Sequence, residues 1–140
     1  MEKLEPTTVE VTINAPVKKV WQYFTEPAHI VKWNHASDNW HTTHSENDLK
    51  VGGSFVARME AKDGSVGFDF GGIYTEVDPP RKIAYVIEGG RNVSVVFEKR
   101  QEGVTHVIET FDPEDENPID MQRAGWQAIL ENFKKHAETL

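Results

Sequence analysis

The stretch from Asn117 to Leu140 constrains the fold more than any other part of the chain. Asn117 offers an N-cap side chain, Pro118 suits a first helical turn, and Asp120 places negative charge near a helix N-terminus. An unbroken run of helix formers follows. At helical periodicity Ile119, Trp126, Ile129, Leu130, Phe133, Ala137 and Leu140 fall in one stripe roughly 100° wide. Each large side chain in it gains roughly 1.5–3 kcal/mol on full burial, so the helix needs a broad apolar receiver. Beside the stripe, Met121, Gly125 and Ala128 form a smaller-volume face with room for a ligand. Gly125→Leu is therefore expected to block ligand binding while leaving the fold intact.

The receiver is legible upstream. Thr7 to Asn14 alternates Val9, Val11 and Ile13 against polar residues, the period of a half-buried strand. After Pro16 the period turns helical through Val17, Val20, Trp21 and Phe24, and a second short helix spans Ala28 to Trp33. The polar stretch from Asn34 to Asp48 reads as irregular. Five further alternating runs follow: 54–62, 66–77, 81–88, 92–100 and 104–112. Asp63-Gly64, Gly89-Gly90 and Glu102-Gly103 supply turns between them, and Gly71-Gly72 predicts a bulge or a close backbone approach. Strand, two short helices, antiparallel strands and one long helix make an α+β pattern, with a curved antiparallel sheet as the receiver.

Residues 1–140 are expected to form one domain with one core. The chain has no cysteine, which excludes disulfides, a thiol nucleophile and cysteine metal sites. A net charge of −8 opposes nonspecific attraction to nucleic acid or an anionic membrane. No apolar run approaches a membrane span and Met1 to Pro6 lacks a secretory pattern, so a cytoplasmic location without stable membrane insertion is expected.

Several motifs together carry a family resemblance: residues 11–17 with Val20-Trp21, Trp33, Gly52-Gly53-Ser54-Phe55, residues 74–80, residues 93–97, and residues 125–130. In their order and spacing the chain resembles the START-related helix-grip (SRPBCC) superfamily. The similar branch is the one named after the C-terminal domain of the activator of heat-shock protein 90 ATPase. The segments around Trp33 to His41, 59–64 and 67–70 resemble a bacterial stand-alone subgroup of it. The resemblance implies a seven-stranded antiparallel sheet wrapped around the C-terminal helix, with a cavity between them. It further implies small apolar ligands, which some branches process chemically. The eukaryotic co-chaperone carries a separate N-terminal domain that is not expected here, so a heat-shock ATPase is the less expected partner.

Within that frame the ligand-facing candidates are Phe55, Met59, Phe68, Phe70, Tyr85, Phe97 and Phe111 from the sheet, with Met121, Gly125 and Ile129 from the helix. Trp33, His35, Trp40 and His41 are candidates for the cavity mouth. Glu109 stands out, because alternation puts its carboxylate on the same side as Val107 and Phe111. Enclosed, it needs a partner or a raised pKa, and it could then orient a ligand hydroxyl or act in acid–base catalysis. A bulge would instead turn Ile108 inward and Glu109 to water. His29, His35, His41 and His44, with Asp38 and Asp48, lack metal-ligand spacing, so no metal is expected. No nucleophile elbow, phosphate loop or dinucleotide fingerprint is present, and no cofactor is expected.

The favoured reading is a binding protein for a small, largely apolar, aromatic or lipid-like molecule. The alternatives are an acid–base enzyme of cyclase, dehydratase or hydrolase type using Glu109 or His41, and a co-chaperone-like module for a heat-shock ATPase.

Overall fold

The computed structural model describes residues 5–140. The reading of the N-terminus at Met1 to Leu4 lies outside the described residues. The chain runs β1 (Thr7–Ile13), α1 (Val17–Thr25), α2 (Pro27–Trp33), β2 (Trp40–Asn47), β3 (Ser54–Ala61), β4 (Gly67–Asp78), β5 (Lys82–Ile87), β6 (Arg91–Gln101), β7 (Val104–Phe111) and α3 (Ile119–Glu138). Seven strands form one sheet in the order β1-β7-β6-β5-β4-β3-β2, each antiparallel to its neighbour. This is the α+β helix-grip arrangement: the curled sheet wraps α3, while α1 and α2 carry the chain from one sheet edge to the other.

Alternation does what the sequence requires of it. In β1, β5 and β7 every second residue is buried, so Val9, Ile83, Tyr85, Ile87, Val107, Glu109 and Phe111 face inward. Glu109 is only 6% exposed, which excludes the flipped alternative. Register then stacks two adjacent inward rows. One contains Val9, Glu109, Val95 and Ile83; the next contains Thr7, Phe111, Val93, Tyr85 and Tyr74.

β2 falls within the stretch from Asn34 to Asp48 that is expected to be irregular. Its residues, Trp-His-Thr-Thr-His-Ser-Glu-Asn, carry almost no apolar alternation, because β2 is an edge strand paired only with β3. A bulge between Thr42 and His44 breaks the period further. Thr42 is nevertheless buried, and its hydroxyl donates to the Asn34 carbonyl at 2.7 Å.

At Gly71 and Gly72 the expected close approach is present. A Cβ on Gly72 would strike the Val86 carbonyl and come within 3.1 Å of the Phe55 ring. The β4 bulge itself falls further along, between Tyr74 and Glu76.

The terminal helix starts later than its sequence suggests. Pro118 is the N-cap, no side chain caps the first turn, and Asn117 is outside the helix. Leu130, Phe133 and Ala137 are buried against the sheet and the short helices, whereas Leu140 lies beyond the helix and is 63% exposed. Phe133 sits between two aromatic rings from the short helices, 5.0 Å from Phe24 and 4.9 Å from Trp33, both edge-on. Trp33 is held in turn by an Nε1 bond to the Tyr23 carbonyl at 2.9 Å.

Candidate functional site

The sheet and α3 do not close completely on each other. Between them lies a cavity of about 360 Å³, within the range of roughly 300–1,000 Å³ usual for small-molecule sites. Phe24, Ile30, Trp33 and Asn34 bound one end, and Arg91, Glu114, Asn117 and Gln122 lie at its polar end. The walls between are Phe55, Ala57, Met59, Phe68, Phe70, Tyr74, Ile83, Tyr85 and Glu109 from the sheet, with Trp126 and Ile129 from α3.

Local chemistry explains the empty space. Gly72 has no side chain, so the Phe55 ring lies over β4 and meets Tyr85 edge-on at 4.8 Å. Trp126 stacks almost parallel on Phe111, 4.3 Å between centroids, and its far edge faces Phe70. These rings hold α3 off the sheet at this end.

Eight of the expected site residues meet in this cavity: Trp33, Phe55, Met59, Phe68, Phe70, Tyr85, Glu109 and Ile129. The others are elsewhere. Phe97 is buried in the core against Trp21 and Phe24, and Phe111 is covered by Trp126. Trp40 packs edge-on against Phe68 at 5.9 Å but does not line the cavity. His41 lies opposite Glu60, on the other face of β2 from buried Thr42, and so cannot serve as a catalytic group in the cavity. His35 is also outside it; its Nδ1 is buried without a partner, and burial, then the nearby Lys62, pushes its pKa down.

Met121 and Gly125 correct the reading of α3. Met121 is 63% exposed, and a Cβ on Gly125 would meet nothing within 4 Å. Both turn roughly 100–140° away from Trp126 around the helix, out of the cavity. The residue that faces in is Gln122, about 40° from Trp126, and a stricter helical projection would have found it. Gly125→Ala is accordingly expected to raise stability by about 0.5–1 kcal/mol through helix propensity, read as a higher urea midpoint. Ligand affinity should not change, and a loss of affinity would restore Gly125 to the site.

Gln122 also braces the polar end. Its Nε2 donates to the Glu114 and Asn117 carbonyls at 3.0 and 2.8 Å, and its Oε1 accepts from the Glu114 backbone N–H at 2.9 Å. The Asn117 N–H donates to Glu114 Oε1 at 2.8 Å, so the loop before α3 is tied to the helix.

Three titratable side chains face the cavity interior, and they differ in how they are satisfied. Tyr74 donates its hydroxyl to Asn47 Oδ1 at 2.7 Å, and Asn47 Nδ2 donates to the Thr25 carbonyl at 2.6 Å. Burial lifts the Tyr74 phenol to about 12, with the Asn47 bond partly opposing it. Tyr85 is buried; burial first, then the charge of Glu109 and Tyr74, pushes it well above the ordinary phenol value. Glu109 rises from 4.5 to about 8 through burial alone, with no hydrogen bond or cation opposing the shift. At neutral pH it is mostly the uncharged acid.

The remaining histidines serve elsewhere. His29 Nδ1 and His136 Nε2 share a 2.9 Å hydrogen bond between α2 and α3, beside Tyr23. Among the described residues no cluster of three or more His, Asp or Glu side chains could hold a metal ion. No helix among them is long and apolar enough to cross a membrane.

A curled antiparallel sheet that grips a C-terminal helix over an apolar cavity places the chain in the helix-grip class. Residues 14–138 match the family described as Activator of Hsp90 ATPase homolog 1-like protein, AHSA1, and the chain belongs to that family. It is similar to the AHSA1-like protein from Aeromonas hydrophila, with 44% identity and a TM-score of 0.90 over 96% of this chain and 93% of that one. A protein from Cytophaga hutchinsonii is 51% identical, with a TM-score of 0.81 over 94% and 91% of the two chains. A Staphylococcus aureus protein of unknown function, 18% identical, shares the fold at a TM-score of 0.75 over 96% and 95% of the two chains. No functionally curated protein matches the sequence.

Proposed function

We propose that this protein binds a small, largely apolar molecule, aromatic or lipid-like, in the cavity between its sheet and α3. The observation that carries this reading is an aromatic-lined space of about 360 Å³ between the sheet and α3. Apolar burial supplies the affinity, and the few polar groups on the wall orient the ligand.

A shift titration with 2-isopropylnaphthalene, a probe with no hydrogen-bonding group, tests the reading. Saturable perturbations are expected at Phe55, Phe70, Tyr85 and Ile129. Ala57→Phe, which puts a ring into the space, should weaken binding by roughly tenfold or more, the effect of losing one well-packed contact surface. The absence of saturable binding, or shifts confined to exposed Val66 and Met121, would overturn it.

One observation favours a second reading. An uncharged Glu109 inside a cavity has the protonation state of a general acid at neutral pH, as a cyclase or dehydratase would need. Under that reading Glu109→Gln removes turnover of a bound substrate while its affinity is retained. Equal turnover in the variant would dismiss the acid role.

A further inference from the structure

Among the described residues, two polar side chains that open onto the cavity have no hydrogen-bond partner. Neither the Glu109 carboxyl nor the Tyr85 hydroxyl receives a compensating hydrogen bond, whereas their neighbour Tyr74 is satisfied by Asn47. Polar side chains turned toward an apolar interior are nearly always paired, with protein, water or a ligand. Two such groups on one cavity wall point to a ligand that satisfies both.

Register sets them in adjacent inward rows, two strands apart. Glu109 lies inward on β7 opposite Val95 of β6, and Tyr85 lies inward on β5 opposite Val93 of β6. Only these two short valines stand between them on the inner face, and a Glu109 charge would be felt at the Tyr85 hydroxyl. Arg91 is at the polar end of the cavity, so no cation neutralises an ionised Glu109 from within. An isolated carboxylate is expensive in such surroundings, and the site holds the acid with its proton on. Both groups are then O–H donors aimed into one apolar space.

We propose that Glu109 and Tyr85 act as a pair of donors to a single acceptor oxygen, a ketone- or ester-type carbonyl, carried by an otherwise apolar ligand. A carbonyl oxygen has two lone pairs and takes both bonds at once. The proposal rests on the cavity reading above and deepens it from an apolar ligand to an apolar ligand with one specifically placed carbonyl. Tyr74 is excluded from the pair because its hydroxyl proton is already committed to Asn47.

Three probes with the same naphthyl body separate the two claims: 2-acetylnaphthalene, 2-isopropylnaphthalene and 1-(2-naphthyl)ethanol. Their dissociation constants with the full chain at about neutral pH should rank the ketone roughly tenfold tighter than the hydrocarbon, the effect of one to two net hydrogen bonds. Tyr85→Phe and Glu109→Leu should each bring that ratio towards one while hydrocarbon binding persists. Glu109→Gln, which keeps an N–H donor, should retain most of it. A positioning or packing role would lower the affinity for both probes alike and leave the ratio unchanged.

Equal affinity for ketone and hydrocarbon in the wild-type protein overturns the donor pair and leaves the cavity reading standing. Binding of neither probe overturns both. Tighter binding of the alcohol than of the ketone would show that the pair accepts a proton rather than donating, and would also overturn the proposal. If Glu109→Leu does not fold, the Tyr85→Phe ratio decides.

Discussion

Glu109→Gln is expected to make the protein more stable at alkaline pH and to remove most of the difference between its stability at about pH 5 and about pH 9. In the folded chain burial raises the Glu109 carboxyl from 4.5 to about 8. The folded state therefore holds the proton more tightly than the unfolded one. The stability this supplies is complete below 4.5, falls as pH rises, and is lost once pH passes about 8. At about 1.4 kcal/mol per unit, the ionised form costs the folded state roughly 4–5 kcal/mol. Glutamine has similar size and no charge to bury, so the two proteins should have similar stability near pH 4.5 and diverge above it.

Thermal melts of both proteins across this range measure the effect. For a domain of this size the variant should melt higher by about 10 °C at about pH 9. Parallel curves would mean that Glu109 is solvated or paired, and would remove the basis for treating it as an uncharged donor. Groups such as His35 and His136, whose pKa values are lowered by burial, bend both curves at acid pH and cancel in the comparison. Their contribution is complete above 6.5 and is lost as pH falls below it, because the unfolded imidazole takes up its proton first.

The second large effect is expected at Phe133. Phe133→Ala deletes a ring that is fully buried and packed edge-on against Phe24 and Trp33. The cavity left behind should cost roughly 3–5 kcal/mol, a large part of the roughly 5–15 kcal/mol that holds a domain folded. Urea unfolding should show a much lower midpoint with little change in slope. A loss below about 1 kcal/mol would show that α3 is not anchored through this aromatic cluster. The site makes the same contact matter for function: Phe24 and Trp33 also bound the cavity, so the anchor and one end of the pocket share side chains.

Much of this architecture was legible in the residue pattern, for a physical reason. Strands with one face in the core must alternate, and β1, β5, β6 and β7 do so cleanly, although alternation alone left Glu109 open between the inward face and a bulge that turns it to water. The strand missed, β2, lies at an edge with a bulge, where few inward positions need be apolar. The site was legible only in part. Aromatic residues on the inner face were identifiable, but Phe97 and Phe111 looked the same as Phe55 and Phe70. What separates them is which ring lies over them, Trp21 and Phe24 in one case and Trp126 in the other. Asn34, Arg91, Glu114 and Asn117 carry no sequence signal for the site, since polar residues in loops and at strand ends acquire a place at the cavity end only when those ends and the helix start are brought together.

The helix from Ile119 to Glu138 shows the division most clearly. Its apolar stripe alone determined that a broad sheet must receive it, because that much apolar surface cannot remain in water. Which flank of the helix borders empty space depended on the angle at which Trp126 lands on Phe111, a packing event between residues distant in sequence. That contact turns Gln122 and Ile129 toward the cavity and leaves Met121 and Gly125 outside it. Periodicity is a local property and is written in the chain; unfilled volume is a property of the assembled surfaces, and only the tertiary structure decides where it falls.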